Sequence, residues 1–312
     1  METTQLTDLE LSIFRTICWF SLFEFPLTHF EIWKWLLKPH RAYDLFEVSQ
    51  SLLQSRWLHD RLQTTNGFYS MKIGRTQQDC LAQRHVRFLD GVRKYRKLRS
   101  ACHFFQLLPS VRAVAAANTL SWWHTTEKSD IDLYVVTHPK KIWSTRLFLV
   151  FPFLLTGNRP AEETDDRKDP FCFSFFSTTN ALQLESLKWD AEDYYLAFWV
   201  KSLVPMLDRS SVFAEVSALN RWADVLLPNA RPRTVHPVHK PKRVFSLPIQ
   251  HGIFEPLFRT IQKKKFPASL RELANRDSRV VITDEMLKFH DNDRRAQFSA
   301  QFQEVFEKGL VL

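Results

Sequence analysis

The segment that most constrains this chain is residues 115–137, Ala-Ala-Ala-Asn-Thr-Leu-Ser-Trp-Trp-His-Thr-Thr-Glu-Lys-Ser-Asp-Ile-Asp-Leu-Tyr-Val-Val-Thr. Residues 131–137 read as a strand. Strand side chains alternate between faces, so Asp130 and Asp132 are expected on one side. Ile131, Leu133, Val135 and Val136 are expected to hold that strand in a core. Aspartate is disfavoured in strands, so two of them at the head of an apolar strand need a compensating partner. A divalent cation held between the carboxylates would be one. Before this segment, Val111–Ala116 reads as a strand followed by a turn and a short helix. After it come a helix from about Lys141, an exposed acidic loop over 156–170, and a third strand, Phe171–Ser177.

Residues 1–78 carry repeated helix starts. Thr7 with Glu10, Thr28 with Glu31, and Asp44 with Glu47 each form the capping-box pattern ahead of apolar residues at helical spacing. Residues 57–62 and 68–73, joined by Asn66-Gly67, read as a β-hairpin. Three helices and a hairpin in this order resemble a winged-helix module, which implies either DNA reading or a packing and partner-docking role. The third helix, Asp44–Ser55, has no Lys or Arg, and phosphate contact needs positive charge.

From Cys80 to Gln106 a long helix is expected, with Arg84, Arg87, Arg93, Lys94, Arg96, Lys97 and Arg99. Arg87, Arg93, Lys94 and Lys97 fall on one arc of about 120°. That strip is either a solvated helix face or a possible nucleic-acid contact over residues 84–99. The chain has 43 basic and 34 acidic residues, a net charge of +9, which attracts polyanions.

With 27 Phe, 10 Trp and only 6 Gly, the composition favours helices packed through large side chains over a Gly-rich nucleotide cradle. Cys18, Cys80, Cys102 and Cys172 are far apart and form no CxxC pair, so reduced cysteines in a cytoplasmic protein are expected. The start Met-Glu-Thr-Thr-Gln predicts no signal peptide. The apolar run 147–155 is about nine residues long and contains Pro152, too short for the roughly 20 of a membrane helix. It is expected to be buried, and no membrane partner is expected.

Around the aspartates the chain resembles the DNA polymerase β-type nucleotidyltransferase superfamily, whose signature is Gly-Ser, about ten residues, then Asp-x-Asp ahead of a hydrophobic strand. Here Asn118-Thr119 stands in the Gly-Ser position, ten residues follow, and Ser129-Asp130-Ile131-Asp132-Leu133 matches the second half. The resemblance is specific over about 111–146. It implies an α+β fold, a mixed-sheet nucleotidyltransferase core flanked by an N-terminal winged helix and a C-terminal helical region. The corresponding units are 1–78, a connector helix 79–108, the core 109–188, and 189–312. It also implies catalytic, metal-binding Asp130 and Asp132 with two Mg²⁺ ions, and nucleotide binding by Asn118, Thr119 and Ser129. The activity implied is transfer of a nucleoside monophosphate from an NTP to a hydroxyl acceptor. Lys140, Lys141 and Arg146 would either neutralise phosphate or be ordinary surface charge.

Two departures from the family pattern bear on activity. Asn replaces Gly at 118, and strand 171–177 lacks the third carboxylate that the family usually supplies from a later strand. Asp169 and Glu185 are the acids nearest to it in sequence. The alternative is a catalytically degenerate member that binds nucleic acid or a protein partner. His290, Asp291, Asp293, Arg294 and Arg295 are expected on a helix, as a polar contact between domains. His236 and His239 fall in a five-proline linker.

Overall fold

The computed structural model describes residues 6–72, 77–155, 169–235 and 252–311. The N-terminal unit runs α1 (Asp8–Ser21), β1 (Leu27–Thr28), α2 (His29–Lys34), α3 (Leu45–Gln54), α4 (Arg56–Arg61), β2 (Leu62–Thr65) and β3 (Phe68–Met71). Its three strands form an antiparallel sheet in the order β1-β3-β2. All three capping boxes form as the sequence indicates, with Thr7, Thr28 and Asp44 each accepting from the backbone of the residue three ahead. Asn66 and Gly67 both adopt positive φ (52° and 78°), the backbone that a two-residue hairpin turn requires. The expected first hairpin strand is corrected. Residues 56–61 are helical, because the Ser55 hydroxyl caps the Leu58 N–H at 3.1 Å and Leu58 and Arg61 bury together. The strand starts only at Leu62.

The long helix α5 (Gln77–Phe105) leads into a six-stranded sheet of order β7-β4-β5-β6-β9-β8. Its strands are β4 (Val111–Ala116), β5 (Ile131–Thr137), β6 (Phe171–Thr178), β7 (Val204–Asp208), β8 (Val280–Ile282) and β9 (Met286–Phe289). β5 and β6 pair in parallel across α7 (Ile142–Leu155), and the other neighbours are antiparallel.

The fold is therefore α+β with a mixed sheet, but the region 189–312 is not purely helical as expected. It contributes three strands of the sheet. Val280-Val281-Ile282 is β-branched throughout, which favours a pleated surface, and the Thr283 hydroxyl closes its hairpin by accepting from Met286 at 2.9 Å. Pro205 sits on edge strand β7, where a missing N–H is tolerated. The last helix begins only at Arg295, as α13 (Arg295–Val311), so most of the segment 290–295 expected on a helix precedes it. Residues 255–264 form α11 (Glu255–Lys264).

Each face of the sheet is covered. Leu133, Val135 and Phe173 pack against Leu98 and Phe105 of α5 and Trp143 of α7. Tyr134, Val136 and Phe175 pack against Leu196 and Trp199 of α8 (Tyr194–Ser202). The opposite side of α8 belongs to the N-terminal core, where Phe198 stacks on Trp19 at 5.4 Å. α8 is thus clamped between the N-terminal unit and the sheet, and α13 joins the same core through Phe302. The apolar run of α7 is only partly buried, since Phe151, Leu154 and Leu155 are exposed. No helix among the described residues is long and apolar enough to cross a membrane. None of the four cysteines is in a disulfide among the described residues.

The cations of α5 are mostly turned inward. Arg84 pairs with Glu31 at 2.5 Å, and Arg87 with Glu24 at 3.3 Å. Arg93 and Lys94 both bind Asp90 and Asp169. Lys97 donates to the Asp169 carbonyl at 2.9 Å. Arg96 and Arg99 are exposed.

Candidate functional site

Asp130 is the last residue before β5, and Asp132 is its second residue. The Ile131 N–H donates to the Pro170 carbonyl at 2.8 Å and the Ala117 N–H to the Asp132 carbonyl at 3.1 Å, which ties the head of the strand to both neighbours. Across from it, Asn118 takes φ 50°, a left-handed backbone that Asn tolerates better than most residues. It opens the short helix α6 (Asn118–Ser121). The Asn118 side chain and the Cys172 thiol both hydrogen-bond to the Asp132 carboxyl. Cys172 is also the parallel register partner of Asp132.

After that pair the register slips. Tyr134 faces Phe175, so Phe173 and Ser174 of β6 together oppose Leu133. Such a bulge re-aims side chains beside a site.

The electrostatics follow from burial. Burial is the main influence on Asp132, and with the neighbouring charge of Asp130 it outweighs the two hydrogen bonds and pushes the carboxyl up to about 6. Burial raises Asp130 as well, partly offset by Lys94. Burial and then the Asp132 charge drive the Cys172 thiol upward, so it stays protonated and donates. Two carboxylates that are desolvated and repel one another are stabilised by a cation.

The two acids line neighbouring cavities. Asp132, with Asn118 and Thr119, bounds a cavity of about 330 Å³ that also meets Phe175 and Trp199. Asp130 bounds one of about 560 Å³ with Arg146, Cys172 and Ser174. The cavities are lined by adjacent residues of β6, 172–174 against 175, and of the β9 exit, Phe289 against His290.

Thr119 is exposed and faces the Asp132 cavity. Ser129 serves the loop instead. Its hydroxyl accepts from the Thr126 N–H at 2.9 Å, and it lines neither cavity. Lys140 is exposed. Arg146 is buried, donating to Gln262 at 2.7 Å and lying over Phe289.

Neither candidate third acid is available to the pair. Asp169 is buried among Arg93, Lys94 and Lys97. Glu185 pairs with Lys188 at 3.2 Å. Among the described residues no group of three or more His, Cys, Asp or Glu is placed to hold a metal. Carboxylates are the donor type that Mg²⁺ takes, together with water and substrate phosphates, and here Asp132 and Asp130 open onto separate, neighbouring cavities.

Residues that the sequence reading did not assign to the site come from the β9 exit. Lys288, His290, Asp293 and Arg294 all line the Asp132 cavity. Burial, with Arg295 next, lowers Lys288 to about 8. Burial, with Lys288 next, lowers His290 to about 3, so its imidazole is neutral. Arg295 fixes this segment by pairing with Asp193 and Asp293, each at 2.7 Å, and donating to the Leu187 carbonyl. Arg294 is exposed. The cluster 290–295 stands out in the sequence as a charge group expected on a helix, but residues 290–294 form a loop and only Arg295 is helical, as the first residue of α13. His236 and His239 lie outside the described residues.

No protein-family model, curated protein or solved structure matches the chain.

Proposed function

We propose that this chain is a nucleotidyltransferase-like protein that binds an NTP with Mg²⁺ beside Asp132 and transfers a nucleoside monophosphate to a hydroxyl. The observation that carries this reading is the desolvated Asp130–Asp132 pair at the head of β5, with Asp132 facing Asn118-Thr119 across a cavity. In this reading Asp130 and Asp132 hold the ion, and Mg²⁺ when bound stabilises phosphate charge. The exposed Thr119 hydroxyl contacts a phosphate oxygen, and Lys288 and Arg294 balance the remaining negative charge from the opposite wall. The N-terminal element order and the β1-β3-β2 sheet support the winged-helix resemblance.

The test is incubation with labelled NTPs and Mg²⁺, comparing wild type with an Asp130→Ala/Asp132→Ala double variant. Transfer by wild type that the double variant abolishes supports the reading. Equal transfer by both defeats it.

A second reading is favoured by one observation. A neutral thiol, Cys172, stands in register with Asp132 on the strand where the resemblance expects an acid. On this reading the protein binds nucleotide, a nucleic acid or a partner without catalysis. For nucleic acid, α5 leaves Arg96 and Arg99 outward, so binding through it should be weak. The slope of log affinity against log salt should be no steeper than about −2.

A further inference from the structure

A third cavity, of about 90 Å³, lies on the other side of Thr119, where the N-terminal unit meets α8. It is several times the roughly 10–15 Å³ that one water needs. Its walls are aromatic: Trp19, Phe23 and Phe25 from the N-terminal unit, Trp122 after α6, and Phe198 and Trp199 from α8. Asn118, Thr119, Tyr195 and Trp199 line both this cavity and the Asp132 cavity, so the two share a wall.

One polar side chain in the cage is left incomplete. His124 is 8% exposed and its ring meets Phe25 edge-on at 4.8 Å. Its Nε2 lies 2.9 Å from the Phe23 carbonyl and also contacts Arg87. Its Nδ1 is buried and has no hydrogen-bond partner among the described residues. In either tautomer that nitrogen forgoes a bond, and an orphaned buried polar atom is costly. Burial, then Arg87, lowers the imidazole to about 4, so it is neutral and Nδ1 can serve a neutral partner.

We propose that this aromatic cage receives the base of the nucleotide, with His124 Nδ1 bonding the edge of the ring and the phosphates extending toward Asp132. The inference rests on the nucleotide-binding reading of the Asp132 cavity and adds a subsite built largely by the N-terminal unit. That unit would then be part of substrate recognition. Planar heteroaromatic rings suit such walls because stacking is available to every base.

The experiment is calorimetric titration of the full chain, in Mg²⁺, with each of the four NTPs, with the four nucleosides, and with inorganic tripolyphosphate. The variants are Phe23→Trp, which fills the cage, and His124→Gln, whose amide can keep the Nε2 contact while leaving nothing at Nδ1. Far-ultraviolet circular dichroism and melting curves establish that each variant folds. At least one NTP should bind wild type roughly tenfold or more tighter than tripolyphosphate. Phe23→Trp should reduce that NTP to the tripolyphosphate affinity while leaving tripolyphosphate unchanged, and His124→Gln should lose part of the advantage and alter base preference.

NTP and tripolyphosphate affinities that are equal in wild type overturn the base subsite and leave the Asp132 reading standing. Nucleoside binding that Phe23→Trp abolishes, with no tripolyphosphate binding, upholds the cage and overturns the Asp132 reading. No binding of any ligand overturns both.

Discussion

Replacing Lys94 by Met keeps the length and apolar stem of the side chain while deleting its charge from the interior. Lys94 is fully buried. It sits 3.0 Å from Asp90 and 3.2 Å from Asp169, and donates to the Thr126 carbonyl in the loop leading to Asp130. Removing one partner of a buried ion pair costs about 3–5 kcal/mol, because the remaining charge is left uncompensated. Arg93 still bridges both acids but its side chain is 36% exposed, so the expected cost is near the lower end, about 3 kcal/mol. Urea unfolding should show a lower midpoint with an unchanged slope.

Asp169→Asn made in the same chain should recover part of the loss, giving a coupling of about 1–2 kcal/mol. The pH dependence has a definite sign. Burial raises Asp90, yet bonds from Arg93, Thr125 and Lys94 outweigh it and hold the carboxyl below its ordinary value. A depressed folded pKa stabilises above the unfolded value and loses that contribution as pH falls through the folded one. The gap between wild type and Lys94→Met should therefore narrow below about pH 4. A cost under about 1 kcal/mol at pH 7, or an Asp169→Asn cost that simply adds, refutes the internal-pairing account of this helix.

Asp132→Asn should act in the opposite sense. Its folded pKa, raised mainly by burial to about 6, means that its ionised form costs stability, and that stability is lost as pH rises through 6. The Asn variant should be more stable than wild type at pH 8 by about 1–2 kcal/mol, with the difference gone by about pH 4, as melting curves can measure. Mg²⁺ should stabilise wild type and leave this variant unmoved, and its affinity for wild type should fall as pH drops below about 6. At Asn118, with φ 50°, Ala should be less stable than Gly by about 1 kcal/mol. Both should lift the Asp132 pKa further, readable by carboxyl-carbon NMR, because its Asn118 hydrogen bond is gone. Gly309→Ala should cost about 1–3 kcal/mol in urea unfolding. Its Cβ would overlap Phe14 Cζ and lie 3.2 Å from Met71 Cε, and Phe14 is fully buried against Trp57.

Local chemistry was legible wherever a few consecutive residues decide the outcome. The three capping boxes, the Asn66-Gly67 turn, the strands 111–116, 131–137 and 171–177, and the Asp-x-Asp at the head of β5 all depend on contacts within a short stretch of chain. They therefore stand in the sequence itself. What could not be read there was set by distant partners. β7, β8 and β9 are short segments that become strands because β4 and β6 offer open edges to pair with. The strip on α5 reads from the sequence as either a solvated helix face or a polyanion contact, but most of its cations meet Glu24, Glu31 and Asp169 from other parts of the chain. The far wall of the Asp132 cavity, from Lys288 to Arg294, lies more than 150 residues beyond the aspartates. Periodicity and caps report the energy of neighbours along the backbone, whereas sheet edges, buried ion pairs and cavity walls arise only when the closed fold brings remote side chains out of water together.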